Sequence, residues 1–171
     1  MGCGTGFVLA GFLESYPSLR LVGLDSYPQA LAHAAPRLPG VALHQSDISS
    51  SDFPEAFDVV GCFDVLEHIP DDRHALDRLA ARVRPGGGVI LTVPQHPSLW
   101  SVADEIGHHQ RRYTRSQLLD RLEASGLTCL RATSFITFPL PIMWARRNQK
   151  LTREQALSEL TPSAVANFLG R

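Results

Sequence analysis

The chain has 171 residues, enough for one domain with a buried core, and its 16 Lys and Arg balance 17 Asp and Glu to a net charge of −1. That balance excludes a global field favouring nucleic acid or an acidic membrane, so partners must be argued from local patches. Cys3, Cys62 and Cys129 lack metal-ligand spacing, which fits unpaired thiols in a reducing, cytoplasmic setting, and the longest apolar stretch, Phe135 to Ala145, is too short to span a bilayer and contains Pro139 and Pro141.

The opening residues Met1-Gly2-Cys3-Gly4-Thr5-Gly6 read as a strand-to-helix turn. Glycine removes the Cβ that would block a close backbone approach. The helix that follows, Phe7 to about Ser15, turns free N–H groups towards a polar or anionic ligand, and Tyr16-Pro17 ends it. Phe7 stands where the last glycine of a dinucleotide fingerprint would be, so that pattern is missed. Leu19 to Leu24 reads as a short buried strand ending on Asp25, about twenty positions after the turn, the interval at which a carboxylate reaches a ribose. The alternative for Asp25 is a solvated turn residue.

A helix around Gln29 to Ala35 stops at the breaker cluster Pro36 to Gly40, and Val41 to Gln45 is a third strand-like stretch followed by Ser46-Asp47-Ile48. A polar and then an apolar residue at a strand tip suit the edge and face of an adenine, or equally a helix cap. Phe57 to Phe63 is the strongest strand, continuous and apolar apart from Asp58, as a buried parallel strand should be, and it runs into Asp64-Val65-Leu66-Glu67-His68-Ile69-Pro70. Asp71 and Asp72 lead a helix with Ala75, Leu76, Leu79, Ala80 and Val83 on one face; Pro85-Gly86-Gly87-Gly88 is expected to stop it, and Val89 to Val93 is the next strand.

Taken in order, Gly2 to Gly6, Asp25, Ser46-Asp47-Ile48, Phe57-Asp58-Val59-Val60, Asp64 to Pro70 and Arg84-Pro85-Gly86-Gly87 resemble the class I S-adenosylmethionine-dependent methyltransferases, nearest to the small-molecule branch that includes ubiquinone-biosynthesis enzymes. The resemblance covers roughly Gly2 to Val93. It implies an α/β fold, a doubly wound, mostly parallel Rossmann-like sheet with helices on both faces, and S-adenosylmethionine as cofactor. It further implies that Gly2, Gly4 and Gly6 approach the methionine and ribose moieties, Asp25 holds the ribose hydroxyls, Asp47 accepts from the adenine amino group with Ile48 beside the ring, and the Phe63 carbonyl meets the methionine ammonium. Asp64 to His68 would line the side where the methyl group leaves. His68 is the candidate general base, the alternative being a structural imidazole bonded to a loop carbonyl. A cation held by Asp64, Glu67 and His68 would need helical geometry to gather them, and no metal site is expected.

The whole chain is expected to form one domain, with residues 1–94 as the cofactor half and residues 95–171 as the substrate half. Trp100 in the loop Pro94 to Trp100, together with Glu67 and the adjacent Arg111 and Arg112 of His108-His109-Gln110-Arg111-Arg112-Tyr113, is assigned to the substrate side, the arginines as a clamp for a phosphate or carboxylate. His108 and His109 are too close in sequence to share a zinc comfortably. Thr114-Arg115-Ser116-Gln117 is a capping box, Tyr113 and Leu118 are spaced as a hydrophobic staple that makes Tyr113 structural, and Gly126 closes the helix. Leu127 to Phe135 is a further expected strand, residues 138–150 read as a lid or docking helix with peripheral membrane contact as the alternative, and short helices begin at Thr152 and Thr161.

Five strands against the family's seven predict a fragment or a mispredicted start, with Met1 an upstream valine codon read as initiator. The expected function is methyl transfer from S-adenosylmethionine to a small molecule. The alternatives are a truncated or inactive nucleotide-binding module and a nicotinamide-dependent oxidoreductase, the latter disfavoured by the glycine spacing.

Overall fold

A computed structural model describes residues 1–49, 56–135, 140–141 and 144. Helix α1 (Phe7–Ser15) follows the glycine turn, and β1 (Val22–Asp25), α2 (Pro28–Ala34) and β2 (Ala42–Gln45) make a right-sized β-α-β unit. Then come β3 (Phe57–Phe63), α3 (Asp72–Ala80), β4 (Val83–Thr92), α4 (Val102–Ile106) and α5 (Arg115–Ala124). Both strand pairs, β1 with β2 and β3 with β4, are parallel, and each has a helix as its crossover. The α/β expectation holds.

Helix limits follow local chemistry. The Asp71 carboxylate accepts from the His74 backbone N–H at 3.0 Å, capping α3, and its Ala75, Leu76 and Leu79 are buried as their spacing predicts. Thr114 and Gln117 cap each other reciprocally at the start of α5, and Gly126 takes the left-handed φ of 75° just beyond its end. A second capping box, Ser101 with Asp104, opens α4 and was not anticipated.

Two expectations need correcting. Val83 leaves the helical face and begins β4, which runs through Pro85 to Gly88; a register irregularity between Phe57 and Val59 lets that glycine-rich stretch continue along β3 instead of ending the element. Residues 127–135 form no strand: the stretch joins no ladder, and Leu130 is 95% exposed. The readings for the lid and the last two helices fall almost wholly outside the described residues. No described helix is long and apolar enough to cross a membrane.

The core gathers Ile48, Val60, Cys62, Leu66, Ala75, Leu76, Leu79 and Tyr113 around β3 and α3. Among the described residues the two sheets are not hydrogen-bonded to each other. Between β1 and β3 lies an apolar groove of about 560 Å³ walled by Val22, Leu24, Val59 and Phe63, with Leu9 and Phe12 of α1 over it. At its top the chain start joins the halves: the Met1 amino group donates to the Gly61 carbonyl at 2.8 Å, and the Cys3 N–H donates to the Leu24 carbonyl at 2.9 Å.

Candidate functional site

Where the strands end, a cleft of about 600 Å³ opens between the two halves. Parallel strands point all their carboxyl ends the same way, so loops far apart in sequence converge there. Its walls include Gly2 and Gly4 of the turn, Asp25 at the tip of β1, Asp47 and Ile48 after β2, and Asp64 and His68 after β3. Gly107, His108 and Gln110 close the far side.

The turn is left-handed at each glycine, with φ of 65°, 53° and 84° at Gly2, Gly4 and Gly6. At Gly4 no atom lies within 4 Å of where a Cβ would stand, so there the requirement is backbone conformation and open space beside the cleft. Gly6 is instead buried, and a Cβ on it would press on Leu38 and Ala34; it shapes the start of α1 and does not line the cleft. That corrects its assignment to ligand contact.

Asp25 is 6% exposed. Its Oδ2 accepts from the Gly4 N–H at 2.6 Å and its Oδ1 from the Tyr27 N–H at 2.9 Å. The carboxylate thus ties the glycine turn to the tip of β1, and each oxygen keeps lone-pair capacity for a further donor. Asp47 folds an Asx turn by accepting from the Ser49 N–H at 2.6 Å, while Ile48 is buried beneath it. Phe63 turns its ring away from the cleft towards Phe12, 6.3 Å between centroids, and walls the apolar groove. Only its main chain remains available for the role expected of it.

Asp64 sits at the end of β3 with φ 51°, a conformation that aspartate tolerates better than most residues. Its N–H donates to the Thr92 carbonyl at 3.1 Å, and its Oδ1 accepts from the Thr92 hydroxyl at 3.0 Å. The 3-10 turn Leu66–His68 that follows points Glu67 inward and His68 outward. Glu67 is 1% exposed, its Oε2 has no hydrogen-bond partner, and burial pushes its carboxyl up to about 7. It lies beneath the cleft, which corrects its placement among the substrate-facing residues. His68 lines the cleft, and burial holds its imidazole below the ordinary histidine value.

The expected arginine clamp is also corrected. Arg111 donates to the Ile69 and Pro70 carbonyls at 2.9 and 2.7 Å and pairs with Asp72 at 2.9 Å. Arg112 forks onto Asp104, Nε to Oδ1 at 2.7 Å and Nη2 to Oδ2 at 3.0 Å. Both guanidinium groups neutralise buried carboxylates, and neither lines the cleft; nor does Trp100, which is exposed. Asp72 also accepts from the Tyr113 hydroxyl at 2.8 Å and pairs with Arg121 at 2.8 Å. Burial alone would raise the Asp72 carboxyl, but the bonds from Tyr113, Arg121 and Arg111 outweigh it and hold it below the usual range. Tyr113, 1% exposed, is structural as its spacing suggests.

Sequence spacing missed Asp104 and His109. Asp104 is 1% exposed and also accepts from the Ser101 N–H at 2.8 Å and from His109 Nδ1 at 2.9 Å. The fold also gathers Glu67, His68 and His109, one donor atom each within 4.8 Å of one another, a set that differs from both cation readings of the sequence and could hold a metal ion. The one available signal was the capping-box spacing of Ser101 and Asp104, which places that aspartate on the first turn of a helix.

A family model described as a methyltransferase domain matches residues 1–132. The trans-aconitate 2-methyltransferase of Methylobacterium nodulans is 31% identical over 137 residues, 79% of this chain and 51% of the relative. The ubiquinone biosynthesis O-methyltransferase of Sodalis glossinidius is 32% identical over 110 residues, 60% of this chain and 43% of its own length. An S-adenosylmethionine-dependent methyltransferase from Mesorhizobium loti shares the fold at a TM-score of 0.68 with 18% identity, covering 88% of this chain and 84% of that one. The chain spans about half the length of the curated relatives it matches.

Proposed function

The chain belongs to the class I S-adenosylmethionine-dependent methyltransferases, and from that premise we propose that it transfers a methyl group from S-adenosylmethionine to a small-molecule acceptor. The observation that carries the reading is one cleft that joins Gly2 and Gly4, Asp25, Asp47 and Ile48 to His68. The open space at Gly4 and the remaining acceptor capacity of Asp25 fit an extended nucleoside ligand.

In this reading Asp25 accepts from the ribose hydroxyls and Asp47 from the adenine amino group, with Ile48 under the ring. The backbone at Gly2, Gly4 and Phe63 lies along the amino-acid end. When bound, the cofactor supplies an electrophilic methyl group on a sulfonium. The protein's own work is mostly positioning, and His68, exposed at the cleft and held towards its neutral form, takes the proton of a hydroxyl or amine acceptor. The three unpaired thiols suit a cytoplasmic protein.

A second reading, a domain that binds the nucleoside without turning over, is favoured by the open groove between two sheets that, among the described residues, are not hydrogen-bonded to each other. Calorimetric titration with S-adenosylhomocysteine, with NADH as control, tests the cofactor. Binding of the first alone at about micromolar strength supports the assignment. A folded sample that binds neither, or binds NADH, removes it.

A further inference from the structure

Glu67 points inward with one oxygen unused: the residue is 1% exposed, and its Oε2 has no hydrogen-bond partner. A buried carboxylate oxygen without a donor is costly unless something beyond the chain's own contacts satisfies it. Two imidazoles stand within reach. Glu67, His68 and His109 each bring one donor atom to within 4.8 Å of the others. They come from two segments, the 3-10 turn Leu66–His68 and the loop after α4, which the Gln110 N–H ties to the Glu67 carbonyl at 2.7 Å. His109 is prepared for a ligand's role: its Nδ1 meets Asp104 Oδ1 at 2.9 Å, and Asp104 is fixed by Arg112 and Ser101, which leaves Nε2 to ligate. A Cβ on Gly107 would stand 3.1 Å from that Nε2, so the glycine keeps space open beside it.

We propose that Glu67, His68 and His109 form a binding site for a divalent transition-metal ion of the zinc class. Two imidazole nitrogens and one carboxylate oxygen suit a borderline ion such as zinc and do not suit magnesium, which prefers oxygen ligands throughout. Zinc bonds of about 2.0–2.2 Å put tetrahedral donors about 3.4 Å apart, so the three atoms draw in by no more than about 1.4 Å on binding. The ion gives Glu67 Oε2 the partner it lacks. Asp104 then acts as the outer carboxylate that fixes the tautomer of a metal-held imidazole, and the Gly107 and His108 carbonyls meet the His68 ring in a similar way. Three protein ligands leave a tetrahedral ion one further position, and His68, alone of the three, lines the cleft from which water or a ligand would fill it. The inference goes beyond the methyl-transfer reading and touches it at one ring. Zinc takes the lone pair with which His68 would accept a proton, so the metal-filled and proton-accepting forms of the chain are alternatives.

The test is calorimetric titration of zinc chloride into the full chain after chelator treatment, with magnesium chloride as control. One saturable zinc site of about micromolar strength or tighter is expected, and none for magnesium. Glu67→Gln, which keeps the side chain's shape, and His109→Gln should each weaken zinc binding about a hundredfold or more. Cys129→Ser, which removes the exposed thiol, should leave it unchanged. In an NMR titration of the parent chain, the His68 and His109 ring signals should be the histidine signals that zinc moves first. Absence of a saturable zinc site overturns the proposal, as does undiminished affinity in Glu67→Gln, loss in Cys129→Ser, equal binding of magnesium, or first shifts at other histidines. Should His109→Gln fail to fold, Glu67→Gln and the parent's ring signals decide. Neither cofactor nor acceptor is present, so a negative result leaves methyl transfer standing.

Discussion

The two walls of the cleft bury carboxylates in opposite ways. On the glycine-turn wall, Asp25 accepts from two backbone N–H groups and still borders the cleft. On the opposite wall, Asp72 and Asp104 are saturated by Arg111, Arg121, Tyr113, Arg112, Ser101 and His109, and neither borders it. A carboxylate satisfied by dipoles retains capacity for a ligand, while one satisfied by cations is committed to holding the fold. The first wall is built to receive, the second to stay in place.

The sharpest test of that contrast removes an anion from the second wall. Asp104→Ala leaves the Arg112 guanidinium and the His109 ring without their buried acceptor and should destabilise the domain by about 3 kcal/mol, read by urea denaturation. On the first wall, Asp25→Ala should cost cofactor affinity, about tenfold to a hundredfold by calorimetry, and less stability than Asp104→Ala. Equal destabilisation by the two variants would erase the distinction. His68→Ala, between the walls, should lower kcat about a hundredfold while cofactor affinity is kept. Full turnover in that variant would remove His68 from the proton transfer.

The same contrast explains what could be read from the chain alone. The first wall is local: a glycine turn, a strand tip and a carboxylate at a fixed interval are contiguous patterns, and Gly2, Gly4, Asp25, Asp47 and Ile48 all line the cleft. The second wall depends on pairings at long range. Arg111 looked free because its partner Asp72 is 39 positions away, reached only when α3 and the loop before α5 pack together. Arg112 and His109 find Asp104 across a helix end whose capping role was overlooked. Apolar periodicity likewise located α3 and β3 but misread residues 127–135, since strand formation depends on long-range pairing and packing that a local apolar pattern does not encode.

The smallest effect separates the walls by pH. Burial raises the Glu67 carboxyl from its ordinary 4.5 to about 7, so the folded state binds its proton more tightly than the unfolded state does. Between those values the folded chain holds the extra proton, and its stability from this group falls as pH rises, levelling off above about 7. Asp72 and Asp104 have the opposite sign: their depressed values give stability above the unfolded carboxylate range that disappears as pH falls through the folded ones. Glu67→Gln keeps the side chain's shape and removes the first contribution only. The variant should therefore gain about 1–3 kcal/mol on its parent between pH 4 and pH 8, with the acid-side loss from Asp72 and Asp104 unchanged. Parallel stability curves for parent and variant across that range would mean that Glu67 meets a cation or a donor in solution, and that the space beneath His68 is not the unpaired site its Oε2 marks.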